Sequence, residues 1–397
     1  MTNDQKTAFL GTPGFVQDPG RFGNADLLKA VGANSGNLLF QYAATRLIGG
    51  TLEHVGFSGK GYGDATVFRG LDFFVFPAAN HLKADGEWDL LTKFLKSIRV
   101  PLIILGLGAQ ADRGADPKAT AASIRENQSV MDFVQMLKDK AQLITVRGPF
   151  TEAVCHELGL SAVLRLGCQS QFLNADRDLG AATATRLSEL ANSDAPARLA
   201  RLALTASAPN ELHGWRAELE EKLFGWTAES DGIYLQQSCE EWFFDGAEGH
   251  LADLSSSNLA YAHRHIAPHM ERKAFAEKLK ATFRIYFDAR RWIDDLAPVD
   301  LAIGTRIHGN MAALAASRPG VLVVHDARVT ELAEEMHVPR VDGQSVIDAT
   351  DHRQVLKSVE FDGAAFDATR RRKAGMLADA FSKLGVPPSD HLRHLAA

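Results

Sequence analysis

Apolar positions along the chain fall into two registers. Between Leu71 and Ser170, four short uninterrupted runs (LDFFVFP, VPLIILGLGAQ, AQLITVRGP and SAVLRLGCQS) are separated by segments whose apolar residues recur at helical spacing, over Trp88–Ile98, Ile124–Lys138 and Phe150–Leu158. The runs read as strands buried on both faces, and the periodic segments as amphipathic helices. Such strands alternating with helices predict a parallel sheet covered on both sides. A second series starts at Arg201: RLALTAS, a helix near Gly214–Phe224, GIYLQQS, a helical region over Leu259–Ala281, then FRIYF, VDLAI and VLVV, each followed by a helix. Between the series, NADRDLGAATATRLSELANSDAPAR is polar and alanine-rich without a strand-like run, and the domain boundary is placed there. The expected fold is α/β, with two Rossmann-like domains, 1–185 and 186–370, and residues 371–397 a terminal helix packing back on the junction. The glycine- and asparagine-rich first 70 residues predict one helix, about Gly36–Ile48, set in loop.

Length and composition agree with this division. The chain of 397 residues exceeds one ordinary core and suits two domains. Its 46% hydrophobic, 23% charged and 8% aromatic residues belong to a globular enzyme or binding protein and argue against disorder or a fibrous repeat. No apolar stretch approaches the roughly 20 residues that span a bilayer. The N-terminal MTNDQKTAFLGTPG lacks a basic segment followed by an apolar one, so no signal peptide is expected and the cytoplasm is the expected location. Three cysteines, Cys155, Cys168 and Cys239, cannot all pair and fit reduced thiols. A net charge of −6 argues against a nucleic-acid partner, because a long basic face for phosphates is missing. Any anionic ligand must be met by a local cluster.

Two strand–helix junctions supply candidates for that cluster. In an open parallel sheet every strand delivers its carboxyl end to one edge, where the next helix presents unpaired amides and the positive end of its dipole. In VDLAIGTRIHGNMAALAAS, Arg306 and His308 stand at this place, with Gly304 and Gly309 permitting the turn and close approach. If the loop is extended there, Arg306 and His308 emerge on one side and Ile307 on the other. In AQLITVRGPFTEAVCHELGL the same logic places Arg147 at a strand exit, and Gly148-Pro149 open the next helix. A solitary cation at a helix start also serves as a cap or an ion-pair partner. Two such arginines, one per domain, can hold the ends of one small polyanion if the sheets face each other across a cleft.

IGTRIHGNMAALAASRPGVLVVHDARVTELAEEMHVP resembles the C-terminal signature of the polysaccharide pyruvyl transferase family, and NSGNLLFQYA, VRGPFTEAVCHELGL and RLGCQS fit its earlier segments. The resemblance runs over most of Gly32–Pro339. It implies a GT-B-like fold and transfer of the enolpyruvyl unit of phosphoenolpyruvate to a sugar of a polysaccharide or glycan precursor, as a pyruvate ketal, with release of phosphate. No cofactor and no metal are expected. Arg306 and His308 match the family's donor-binding Arg-x-His, with Gly309 beside them, and Arg147 matches a donor-anchoring arginine. His308 is the candidate acid–base group, since imidazole gives and takes protons near neutral pH, with hydrogen bonding to phosphate as its alternative role. The chain departs from the family pattern at NSGNLL, where an acidic residue often follows Asn-x-Gly, and at Cys168-Gln169, where many members have a proline. Both departures bear on the acceptor.

Further residues reach the same sheet edges. His325 and Asp326 follow VLVV and could meet the acceptor sugar, or serve as a packed loop residue and a helix cap. Asn80 and His81 follow FVFPAA and could line the cleft. His263, His265 and His269 lie close in sequence, but Pro268 breaks the helical spacing a metal pair needs. GFSGKGYG lacks P-loop spacing, and GLGAQ is half a dinucleotide fingerprint. TRRRKAG reads as the solvated face of the last helix, with weak contact to an anionic membrane or a lipid-linked glycan as its further possibility. Two other functions stay open from the residues alone: a GT-B glycosyltransferase using a nucleotide sugar, and a non-catalytic glycan- or anion-binding module.

Overall fold

The computed structural model describes residues 5–58, 61–62, 70–111, 114–192, 201–324 and 327–397. Two six-stranded sheets, parallel throughout, organise it. The first contains Lys6–Leu10 (β1), Thr51–Val55 (β2), Phe73–Pro77 (β3), Leu102–Leu107 (β4), Ala141–Val146 (β5) and Leu164–Arg165 (β6), in the order β2-β1-β3-β4-β5-β6. The second contains Leu202–Thr205 (β7), Ile233–Gln236 (β8), Phe283–Ile285 (β9), Leu301–Gly304 (β10), Gly320–Val324 (β11) and Arg340–Asp342 (β12), in the order β9-β8-β7-β10-β11-β12. Each order reverses direction once, beside β1 in the first sheet and between β7 and β10 in the second. At such a switch point the connections leave to opposite faces and open a crevice at the carboxyl ends of the strands. The chain therefore forms two Rossmann-like α/β domains, as the alternating pattern predicts, in the GT-B-like arrangement that the resemblance implies.

Strand sequences explain how both faces are covered. Along β3, Phe74 and Phe76 enter one core cluster while Phe73 and Val75 enter another; along β4, Leu102 and Ile104 go one way and Ile103 and Leu105 the other. Side chains alternate across a strand, so a run apolar at every position must be packed on both sides. On one side stand the helices that follow β3, β4 and β5 in sequence. On the other, Leu377, Phe381, Leu392 and Leu395 complete the cluster. They belong to the two last helices, Gly363–Leu384 and Asp390–Ala396, which run back onto the first sheet. The Leu179–Ala191 helix, which the boundary at 185 divides, packs through Leu179 and Leu187 on the core of the second domain.

Several local expectations are corrected. The N-terminal segment is not mainly loop: KTAFL forms β1, an inner strand of the first sheet, and TLEHV forms β2 beside it at the edge. Polar residues break both runs, Lys6 and Thr7 in the one and Glu53 and His54 in the other, so neither reads as an uninterrupted apolar strand. The predicted Ile124–Lys138 helix is two, Pro117–Arg125 and Gln128–Lys140, each begun by a side-chain cap, Asp116 and Asn127. The helical region over Leu259–Ala281 is divided in the same way, into Ser256–Ile266 and Arg272–Thr282. SAVLRLGCQS contributes only a two-residue strand.

The basic run TRRRKAG is a solvated face only at Arg372 and, in part, at Arg371. Arg370 and Lys373 are each 1% exposed. The Arg370 guanidinium donates to the carbonyls of Gln171, Asn174 and Asp176 and lies 5.3 Å from the centre of the Phe366 ring. Lys373 pairs with Glu335. These cations fasten the connection between the domains, which leaves them unavailable to a membrane surface. Among the described residues, no helix is long and apolar enough to cross a membrane.

Candidate functional site

The carboxyl ends of the two sheets meet at a cavity of 140 Å³. Asn80 after β3 and Arg147 after β5 line it from the first domain; Gln237 after β8, and Thr305 to His308 after β10, line it from the second. Phe40 and the Asn34–Asn37 turn close one side. A larger cavity, of 540 Å³, is lined by Arg201, Asp231, Gly232 and Arg284 where β7, β8 and β9 begin. That is the opposite edge of the second sheet, where mixed charges face solvent and the helices that follow the strands do not start.

At the second-domain junction the chain leaves β10 through Gly304, whose φ of +149° and approach to the Thr205 carbonyl leave no space for a side chain. Arg306 is extended and caps the helix Ile307–Ala315 (α1) by position only, without a side-chain hydrogen bond to its amides. Since the helix already begins at Ile307, the extended geometry expected for Arg306-Ile307-His308 is not formed, and all three residues line the cavity. Gly309 does not line it. A Cβ there would come within 2.6 Å of the Thr205 side chain, so Gly309 lets the helix settle on β7. Arg306 donates from Nη2 to Glu211 at 2.9 Å, and its buried Nε has no hydrogen-bond partner among the described residues.

At the first-domain junction Arg147 is more deeply held. It is 8% exposed and donates to the Gly106 carbonyl (3.0 Å), to Asn80 Oδ1 (2.9 Å) and to the Ala78 carbonyl (3.4 Å), with Phe40 5.9 Å away. Asn80 thus both lines the cavity and orients the guanidinium. The next helix, Pro149–Glu157 (α2), does not offer its amino end to a ligand as expected. The Glu331 carboxylate, from the Ala327–Met336 helix of the other domain, accepts from Thr151 N at 3.1 Å and from Phe150 N. Burial raises the pKa of Glu331, and these amides draw it back.

A different helix replaces it. The Gly36–Leu47 helix starts against the cavity, where a Cβ on Gly36 would lie 2.5 Å from Gln237 Oε1 and 2.9 Å from His308 Nδ1. Ser35 N donates to the Gln237 carbonyl across the domains at 2.9 Å. The His308 ring has Cys168 Sγ 3.7 Å from Nε2 and the Phe40 ring at 5.5 Å. Gln237, Phe40 and Cys168 were not singled out as site residues by the sequence. GIYLQQS does mark the strand that ends at Gln236, and the residue after it lies at the carboxyl edge where parallel sheets hold their ligands.

His81 does not join the site. Its Nδ1 accepts from Ala79 N at 3.0 Å, and its ring packs among Phe76, Trp88 and Phe133, where burial lowers its pKa to about 4. His325 and Asp326 lie outside the described residues. No group of three His, Cys, Asp or Glu side chains suited to a metal occurs among the described residues.

The profile of the polysaccharide pyruvyl transferase family matches residues 34–327. The chain belongs to this family. No curated protein matches it in sequence. Among solved structures, this pyruvyl transferase family member is similar to Staphylococcus aureus MnaA with UDP (11% identity, TM-score 0.42, covering 97% of this chain and 99% of that one). It is also similar to Anabaena HepE in complex with UDP and glucose (11% identity, TM-score 0.42, 96% and 100%) and to UDP-N-acetylglucosamine 2-epimerase from Rickettsia bellii (10%, 0.40, 96% and 97%). Likeness at this distance says nothing of the substrate.

Proposed function

We propose that this cavity binds phosphoenolpyruvate and that the protein transfers its enolpyruvyl unit to two hydroxyls of a sugar acceptor as a ketal, releasing phosphate. The observation that carries the reading is a guanidinium from each domain at one small cavity, in a chain of the pyruvyl transferase family. Phosphoenolpyruvate holds a carboxylate and a phosphate on one carbon and needs cations on two sides. Arg147 and Arg306 supply planar forks for such anions, and the α1 amides add the dipole that favours negative charge. A cavity of 140 Å³ is below the roughly 300–1,000 Å³ of pockets for larger ligands, which favours a three-carbon metabolite over a nucleotide sugar.

In this reading the methylene carbon takes up a proton while one sugar hydroxyl adds to C2 and loses its own. The C2–O bond to phosphate then breaks as the second hydroxyl closes the ring and releases its proton. His308, at the second position of α1 and facing the cavity, moves one of these protons. The acceptor is a glycan or a lipid-linked sugar. Incubation with phosphoenolpyruvate and candidate glycans, followed by NMR of the products, tests the reading. Phosphate and a ketal methyl signal are expected; release of a nucleoside diphosphate from a nucleotide sugar, or binding without turnover, would replace it with the glycosyltransferase or binding-module alternative. His308→Ala is expected to lower kcat by about 10²-fold or more with donor KM little changed.

A further inference from the structure

Behind the cavity wall lies a buried polar network that donor binding does not use. Glu220, on the Trp215–Glu229 helix, is 1% exposed. Its carboxyl accepts from Ser207 N at 3.3 Å and from Tyr234 Oη at 3.1 Å, and is hydrogen bonded to the Ser207 hydroxyl. Ser207 Oγ lies 2.7 Å from Thr305 Oγ1, and Thr305 lines the cavity. Gln236 Nε2 fixes the group from below, donating to the Ser207 carbonyl (2.8 Å) and to Tyr234 Oη (3.0 Å). A carboxyl this deep is costly to bury, and an apolar side chain would pack there at less cost. Its placement at the end of an unbroken row of hydroxyls gives it a use.

We propose that Glu220, Ser207 and Thr305 form a proton relay serving the cavity, with Glu220 a positioning residue that acts through the two hydroxyls. The purpose of the relay rests on the transfer reading above, which requires one proton delivered and two withdrawn. In the delivering direction the Glu220 O–H bond breaks as Ser207 Oγ takes the proton. Ser207 passes its own to Thr305, and Thr305 passes its own to the group bound in the cavity. A proton released by the acceptor returns by the same path to the carboxylate, so nothing is consumed. Burial raises the pKa of Glu220 to about 7, against the lowering influence of the Ser207 and Tyr234 hydrogen bonds and of Arg306. The ionisable groups acting on it are Tyr234 from β8 and Arg306 from the β10–α1 junction. A group poised near neutrality is matched to proton exchange at the pH of reaction.

Two measurements test this. Infrared difference spectra of the wild type against Glu220→Gln, titrated from about pH 5 to 9, should show a protonated-carboxyl band that disappears through neutrality, and Thr305→Val should move its midpoint by about half a pH unit or more. A band absent throughout, or a midpoint indifferent to Thr305→Val, overturns the relay whether or not phosphoenolpyruvate is the donor. With phosphoenolpyruvate and an acceptor, Glu220→Gln and Thr305→Val should lose the neutral limb of the kcat–pH profile and lower kcat about tenfold or more, leaving donor KM within about twofold. Thr305→Ser, which keeps the hydroxyl, should restore the limb. Folded variants with the wild-type profile, or with a loss in KM alone, overturn it. A wild type without turnover rejects the transfer reading and leaves the infrared result to decide the relay.

Discussion

The β5–α2 and β10–α1 junctions are built by one rule and finished in opposite ways. Both bring an arginine to the carboxyl end of a parallel strand, next to a helix start. Arg147 is buried under carbonyls and the Asn80 amide, and the helix beside it is capped by Glu331 from the other domain. Arg306 is paired with Glu211, a residue 43% exposed in its side chain, and the helix beside it has no side-chain cap. The first junction is a fixed wall and the second an exchangeable one. Rigid groups orient a ligand at little entropic cost, whereas an ion pair whose carboxylate is open to solvent yields more readily to an arriving anion.

The largest effect is expected at the fixed wall. Arg147→Met removes a donor that satisfies several buried acceptors, costing roughly 2–4 kcal/mol of stability, measured by denaturant unfolding. It should also lower kcat/KM for the donor on the order of 10²–10³-fold. A variant of wild-type stability would show that the surrounding carbonyls find other partners, and the contrast between the junctions would fail.

The next effect is a pH dependence on the β10 side. Glu220 has a folded pKa of about 7 against an ordinary value of 4.5. Because the folded value is the higher one, the stability tied to this group is complete below the unfolded value and is lost as pH rises through about 7, by roughly 3 kcal/mol. Glu220→Gln should flatten the fall in melting temperature between about pH 4.5 and 7. An unchanged slope would mean that the carboxyl is already ionised in the folded protein.

Arg306→Lys follows. A lysine keeps the charge and loses the planar fork, so donor KM should rise about 10- to 100-fold while stability and kcat move little. Titration of donor binding by calorimetry checks it.

These contrasts also separate what the sequence could tell from what it could not. Uninterrupted apolar runs announced buried parallel strands, and the strand–turn–helix signal located both arginines, because these depend on local order along the chain. β1 was missed, since Lys6 and Thr7 break its apolar run and it gains its place from pairing with β2 and β3. Glu331 and Gln237 were missed for a related reason. Glu331 lies 180 residues from the amide it caps, and only the meeting of two domains brings it there. The basic run at Arg370 misled because charge usually signals solvent; three carbonyls at the domain crossing make the exception.

The smallest expected effect tests the exchangeable wall most directly. If Glu211 competes with the donor for Arg306, Glu211→Gln should leave stability unchanged and tighten donor binding by a few-fold, the scale of a part-buried ion pair worth about 1 kcal/mol. Weaker binding would give Glu211 the opposite role, that of holding the guanidinium in place as Asn80 holds Arg147. The two junctions would then be alike in function despite their different partners. The sign of this one change therefore decides whether the second domain captures its ligand by displacement or by a preset fork.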